Sequence, residues 1–372
     1  MGDGASMFVA DRSRLIDASG IRRVFDLAAS IEDPVDLSIG QPCHEVAEAV
    51  KESAIRAIRA GKNGYTPTQG YPALVEALTA RMARTIGLGG RKLFVTSGSG
   101  GGLFLAFATL VNPGDEVLMA DPYFVIYKHA VAFFGGTPVP VDTYPDFRLT
   151  AGRIEPLLSE RSKIIIIGSP GNPTGVVSTA SELEEIAALA ANHRLLVISD
   201  EVYASLSYDG PAASIAPMHD NTLLLSGFSK SHAVTGWRIG YAFGPEPIIN
   251  EMAKLQQYSF VCAPAPAQAA ILENLDLDNS IAADAYRRKR DLVCDGIADN
   301  YEFTRPGGAF YIFPKTPWGS DIEFVEEAIR RNLLIIPGSV FSERDTHFRI
   351  SYSADDGTLR RGIEILNDLA HR

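Results

Sequence analysis

The sequence predicts an α/β protein: a mostly parallel sheet covered by helices on both faces, followed by a second, smaller α/β layer. Three observations predict this. Short apolar strands separated by helical stretches run from "KLFVT" to "WRIGYAFG", the alternation that builds a parallel sheet with both faces buried. Those strands run into turns rich in glycine, proline or acids, such as "TSGSGGG", "SPGNPTG" and "SDEVY", which mark where they end. Beyond Pro245 the pattern changes to longer helices with a few brief strands.

Taken in order, "KLFVTSGSG" reads as a strand entering a glycine turn, and "GGLFLAFATL" as a helix ending at "NPGD". "EVLMADP" is a strand, "YFVIYKHAVAFF" a helix stopped by Gly135 and Gly136, and "TPVPV" a short strand. "RIEPLLSE" reads as a helix and "KIIIIGSPGNP" as a buried strand opening into a loop. "SELEEIAALAANH" is an amphipathic helix with Ser178 or Thr179 as its cap. "RLLVISDEVY", "NTLLLSGFSK" and "WRIGYAFG" are three further strands. A helix through "EPIINEMAKLQQY", a Pro/Ala segment, a long helix from about Asp278 to Ile297, short strands and a terminal helix complete the chain. No internal repeat or low-complexity segment is present.

Composition excludes several classes. The 372 residues are 46% hydrophobic and 21% charged, with a net charge of −11, values of a soluble globular protein rather than a nucleic-acid binder. The densest basic cluster, "RRKR" at Arg287 to Arg290, lies in a helical pattern and reads as a solvated face. Three scattered cysteines, Cys43, Cys262 and Cys294, lack CxxC spacing. They argue against a zinc site or a disulfide framework and for a reducing, cytoplasmic setting. No signal peptide is expected from the charged first thirty residues, and no apolar run approaches membrane-spanning length.

In open α/β sheets, ligands bind at the carboxyl ends of strands, so the turns there are the candidates. "TSGSGGG" opens a helix whose free N–H groups suit a phosphate, or it is a plain tight turn. It fails the GxGxxG pattern at Leu103 and has no GK[ST]. Asn172 in "SPGNPTG" is an amide donor or a turn stabiliser. Asp200 and Glu201 end an apolar strand, where an acid needs a partner. Lys230 in "SGFSK" is a solvated lysine or a buried amine used as a nucleophile. A serine–lysine hydrolase is disfavoured because Gly227, not serine, stands three residues before Lys230, and GxSxG and HExxH are absent.

Together and in this order, the glycine turn, the aromatic after proline, "NPTG", "DEVY" and "SK" with Arg238 downstream resemble the fold-type-I pyridoxal-phosphate (PLP) aminotransferases of class I/II. The resemblance runs from "DLSIGQP" to "FRISYSADDGTLRRGIEIL", with "GAFYIFP" and "IPGSVF" similar to small-domain signatures. "ASGIRRVFDLAA" looks most like the archaeal aromatic and broad-specificity branch. The resemblance implies a large domain around a mostly parallel seven-stranded sheet and a smaller α/β domain from both termini. Its boundaries would be 1–42 for an arm and part of the small domain, 43–257 for the large domain and 258–372 for the rest.

By position, the resemblance makes Lys230 the Schiff-base lysine, which requires an amine depressed from about 10.4, and Asp200 the partner of the pyridinium nitrogen. Tyr203 and Asn172 would bond the phenolic oxygen and Phe124 would stack on the ring. The amides of Ser99 and Gly100, with Ser229 and Arg238, would hold the phosphate. Arg349 would bind the substrate α-carboxylate, assisted by Gly40 and Asn172, and Tyr65 would reach the phosphate of a neighbouring subunit in a homodimer with shared active sites. Because Gly227 replaces the usual phosphate-binding serine, Ser226 or Ser229 makes that contact, or the contact is missing. Neither position that carries a second cation in the aspartate-specific branches is basic here: one is Gly100, and "QYSFVCAPAPAQ" holds no arginine. The expected substrates are therefore aromatic or other neutral amino acids and a 2-oxo acid such as 2-oxoglutarate, used in a ping-pong cycle. Gly100, Gly101 and Gly102 would leave room, and Phe124, Tyr65 and Phe260 would offer apolar walls. The alternatives are an aspartate aminotransferase or another PLP reaction, such as a carbon–sulfur β-lyase. A PLP-binding transcription regulator is disfavoured, because the stretch before "GQP" is not basic.

Overall fold

The computed structural model describes residues 6–16 and 33–371. "ASGIRRVFDLAA", which carries the archaeal likeness, lies outside the described residues. The central element is a seven-stranded sheet of β1 (Arg91–Thr96), β2 (Glu116–Asp121), β3 (Thr137–Asp142), β4 (Ser162–Gly168), β5 (Leu196–Asp200), β6 (Thr222–Gly227) and β7 (Gly240–Pro245). Its order is β1-β7-β6-β5-β4-β2-β3. Only β7 runs against its neighbours; the other pairings are parallel.

The apolar runs are explained by burial on both faces. Ile164, Ile166, Ile198 and Leu225 pack with Phe94, Leu103 and Phe107 on one side. Ile165, Ile167 and Val197 pack with Leu183 and Ile186 on the other. Successive strand residues point to opposite faces, so an unbroken apolar run is what a doubly covered strand requires. The register sets Gly168 beside Asp200 and Asp200 beside Leu225, which brings the carboxyl ends of β4, β5 and β6 into one row.

The second layer combines both ends of the chain. Val35–Asp36 pairs in parallel with Leu333–Leu334. Phe348–Ser351 lies between Ile336–Pro337 and Tyr311–Ile312, antiparallel to both. Val35 and Leu37 share one core with Phe310, Phe324, Phe348 and Leu366. Among the described residues no helix is long and apolar enough to cross a membrane.

Helices Glu48–Arg59 and Pro72–Thr85, in a stretch the sequence pattern left unassigned, precede the first strand of the sheet. Three local readings need correction. The Pro/Ala segment is a helix, Ala265–Glu273. Pro266 sits in its first turn, where a missing N–H is tolerated, and Ala267, Ala270 and Ile271 are buried against Val50, Leu74 and Phe243. "RIEPLLSE" forms only one α-turn, Ala151–Ile154, and a 3-10 turn, Glu155–Leu157. The "RRKR" cluster is not one solvated face. Arg290 is 8% exposed, donates to the Pro306 carbonyl and pairs with Asp291.

Of the two candidate caps, Thr179 starts the helix Ala180–Asn192. Its hydroxyl oxygen accepts from the Glu182 amide at 3.2 Å, and the Glu182 carboxylate accepts from the Thr179 amide at 2.8 Å. Losing such a cap costs about 1 kcal/mol. Thr179→Ala is therefore expected to lower the unfolding free energy by about that amount in urea titration; an unchanged midpoint would mean that Arg148, which also grips Glu182, secures the turn alone.

Candidate active site

The row of strand ends opens into a cavity of about 370 Å³. Its wall includes Gly40, Ser99, Gly100, Phe124, Asn172, Asp200, Tyr203, Ser229, Lys230, Arg238 and Arg349, but not Gly101, Gly102 or Tyr65, the last of which is 87% exposed. Phe124, at the start of helix Val125–Phe133, lines the cavity; Phe260 does not.

β6 delivers Lys230 through the turn Gly227–Phe228–Ser229. The lysine Nζ donates to the Gly40 carbonyl at 2.6 Å and lies 5.5 and 5.4 Å from the ring centres of Tyr203 and Phe310. Burial, then the positive charges of Arg349 and Arg238, push its pKa down to about 8, with Asp200 opposing. An amine held this way has a substantial neutral fraction near neutrality.

β5 ends at Asp200, which is 5% exposed. The Tyr127 hydroxyl donates to its Oδ2 at 2.8 Å, and the Val202 amide approaches its Oδ1 at 3.3 Å. Burial raises the Asp200 pKa, while Tyr127, Val202 and Lys230 favour the charged form. The neighbouring Glu201 belongs to a different network, accepting from Ser199 and Ser214 at 2.8 and 2.6 Å.

The glycine turn opens helix Gly98–Leu110. Gly98 has φ +73°, and a Cβ there would stand 2.4 Å from Arg238 Nη2. Only glycine allows the guanidinium to lie against the helix start. Arg238 itself has φ +51° and donates to the Thr235 carbonyl at 2.8 Å. Ser99, Gly100 and Arg238 thus form one corner of the cavity, with helix N–H groups and a planar donor fork together.

The position of Ser229 in the cavity wall distinguishes it from Ser226. Ser229 lines the cavity, whereas Ser226 donates to the Glu201 carbonyl at 3.3 Å and borders a separate cavity beside His232. A Cβ at Gly227 would lie 3.1 Å from the Ile239 carbonyl oxygen, so the backbone leaves little space for a serine there.

Arg349, from the strand Phe348–Ser351, is 1% exposed. It donates to the Ser38 carbonyl at 2.7 Å and to Asn172 Oδ1 at 3.1 Å, and among the described residues its Nε has no partner. Its guanidinium lies 4.6 Å from the Tyr311 ring centre and 4.7 Å from that of Phe341. Burial lowers its pKa. Tyr203 completes the wall, sharing a 2.8 Å hydrogen bond with Tyr311.

Sequence reasoning missed Tyr127, Tyr311 and Ser38. Tyr127 read as part of an ordinary helix, and Tyr311 was visible only within "GAFYIFP". Among the described residues the cavity sets three cations, Lys230, Arg238 and Arg349, against one carboxylate, Asp200. This donor set fits an anionic, phosphorylated ring that carries an amine-reactive aldehyde, and it leaves one guanidinium for a carboxylate.

The lowered Lys230 pKa has a direct readout. In ligand-free protein, acetylation of Lys230 followed by peptide mass spectrometry is expected to rise with pH through a midpoint near 8. A midpoint near the ordinary lysine value of about 10.4 would show that the ammonium is not destabilised.

Comparison with known proteins agrees with this chemistry. The family model described as aminotransferase class I and II matches residues 32–366. The chain is 38% identical over 348 residues to the aspartate/prephenate aminotransferase of Thermus thermophilus, covering 89% of this chain and 90% of that one. It is 36% identical over 366 residues to the aromatic-amino-acid aminotransferase 2 of Thermococcus litoralis, covering 93% and 94%. The fold superposes on a solved Thermus thermophilus aspartate aminotransferase with maleate at a TM-score of 0.93 and 34% identity, over 97% of this chain and 99% of that one. The chain belongs to the class I and II aminotransferases and is a PLP-dependent transaminase of fold type I.

Proposed function

We propose that this aminotransferase takes the amino group of a neutral, preferably aromatic, L-amino acid and passes it to a 2-oxo acid such as 2-oxoglutarate in a ping-pong cycle. The observation that carries this reading is the state of Arg349. It is buried, and among the described residues both of its hydrogen-bond partners are neutral and its Nε has none. A guanidinium so placed calls for an anion, because an unpaired buried charge costs several kcal/mol. One α-carboxylate meets that need. The other arginine among the described residues of the cavity wall, Arg238, lies against the helix start and donates to the Thr235 carbonyl, so the described wall has no free second cation for a side-chain carboxylate.

The remaining roles follow from position. Ser99, Gly100, Ser229 and Arg238 would hold the phosphate of PLP, Phe124 would cover its ring, and Asp200 would face its ring nitrogen. Tyr203 and Asn172 would hydrogen-bond its phenolic oxygen. When bound, PLP supplies a ring that delocalises the charge left on the substrate α-carbon. The Lys230 amine would anchor the cofactor, then take the α-proton and return it one step later, a task suited to a base with a pKa near 8. Gly40 would contribute its backbone beside the substrate carboxylate.

Tyr65, exposed and outside the cavity, would serve the phosphate site of the partner subunit in a homodimer. Residues 1–42 and 258–372 would form the smaller domain around residues 43–257; the core that Val35 and Leu37 share with the C-terminal layer supports the contribution of both termini, while helix Ala265–Glu273 packs on the larger unit. The free cysteines Cys43, Cys262 and Cys294 fit a cytoplasmic enzyme.

A second reading, an aspartate aminotransferase, is favoured by the aspartate/prephenate name of the Thermus relative, as the aromatic preference is by the Thermococcus one. The test is kcat/KM for phenylalanine, tyrosine, alanine, methionine and aspartate with one common acceptor. Phenylalanine or tyrosine is expected to lead. Aspartate ahead by about tenfold, or about 1.4 kcal/mol of transition-state binding, would reverse the substrate class. Lys230→Ala is expected to fold and to lose activity with every donor; activity retained in that variant would remove the lysine from the mechanism.

A further inference from the structure

We propose that Tyr311 is a positioning residue: its hydroxyl sets the direction of the Tyr203 hydroxyl, and its ring is the platform on which Arg349 is held. The inference rests on the reading that Tyr203 donates to the phenolic oxygen of PLP.

The platform follows from strand register. Tyr311 pairs with Ser351 across the antiparallel strands, and Arg349 is two residues before Ser351 on the same face. Diagonal neighbours of this kind lie within reach of long side chains. The guanidinium accordingly stands 4.6 Å from the Tyr311 ring centre, a favourable contact for a desolvated cation.

The direction of the hydroxyl follows from proton counting. Tyr203 and Tyr311 are both buried, and their oxygens are 2.8 Å apart. Each phenol carries one proton, so one donates and the other accepts. If Tyr203 gives its proton to an acceptor in the cavity, it must receive the proton of Tyr311. The Arg349 cation over the Tyr311 ring favours that order, because positive charge near a phenol strengthens its O–H as a donor. Gly40 leaves the space this needs. A Cβ there would come within 2.7 Å of Tyr311 Oη, while the Gly40 carbonyl accepts from Lys230. Tyr311 therefore connects Lys230, Tyr203 and Arg349 through contacts to each or to a common neighbour.

The two roles separate by substitution. In holoenzymes of the wild type, Tyr203→Phe, Tyr311→Phe and Tyr311→Leu, two quantities are measured: the pH midpoint of the bound cofactor's visible absorbance, and KM for the amino donor. A donor on the phenolic oxygen favours its charged form, so losing it moves the midpoint upward. Tyr203→Phe is expected to shift the midpoint upward, and Tyr311→Phe to shift it in the same direction by less. Tyr311→Phe keeps the ring and is expected to leave KM unchanged. Tyr311→Leu removes the ring and is expected to raise KM by roughly fivefold. A shift in Tyr203→Phe with none in Tyr311→Phe overturns the orienting role. An unchanged KM in Tyr311→Leu overturns the platform role. No shift in Tyr203→Phe itself overturns the reading of Tyr203 and, with it, the orienting role.

Discussion

The Arg349 guanidinium is a full positive charge in a part of the molecule that water scarcely reaches, and distant segments of the chain converge on it. Ser38 comes from the N-terminal segment, Asn172 from the loop after β4, and Tyr311 and Phe341 from the C-terminal layer. All are neutral. They orient the fork, and among the described residues none compensates its charge, which is the condition for binding a carboxylate strongly and in one geometry. The same contacts tie the C-terminal layer to the loop ends of the sheet, so the shape of the cavity depends on them.

That charge is also felt at Lys230. Burial alone disfavours an ammonium, and Arg349 and Arg238 add repulsion that Asp200 only partly offsets. The result is an amine that ionises near 8 rather than at the usual lysine value. Asp200 is subject to the opposite pull. Its burial favours the neutral acid, and the Tyr127 hydroxyl and the Val202 amide restrain that tendency. The amine and the carboxylate are thus tuned by different neighbours within one cavity.

Several of these features were legible in the sequence because they are local. The unbroken apolar runs of β4 to β6 reveal strands covered on both faces, and the polar residues immediately after them reveal where a ligand is met. Gly98 and Gly100 at a strand-to-helix turn announce a backbone that something approaches closely, and Arg238 is what approaches Gly98. The helix Ala265–Glu273 was not legible, because its prolines read as interruption although Pro266 falls where a helix accommodates it. Nor was the burial of Arg290, whose carbonyl and carboxylate partners make a buried cation acceptable.

By itself the sequence determined the α/β alternation, the strand ends and Lys230, Asp200 and Asn172 as candidates, since hydrophobic pattern and turn chemistry act over a few neighbouring residues; Arg238 and Arg349 became candidates through the family resemblance. Only the tertiary structure decided what those groups experience. Tyr127 reaches Asp200 across 73 residues, and Tyr311 reaches Tyr203 across 108. Ser229 rather than Ser226 enters the cavity because of how the chain turns after β6. Desolvation and hydrogen-bond direction depend on every atom packed around a group, and those atoms come from parts of the chain that no local pattern relates.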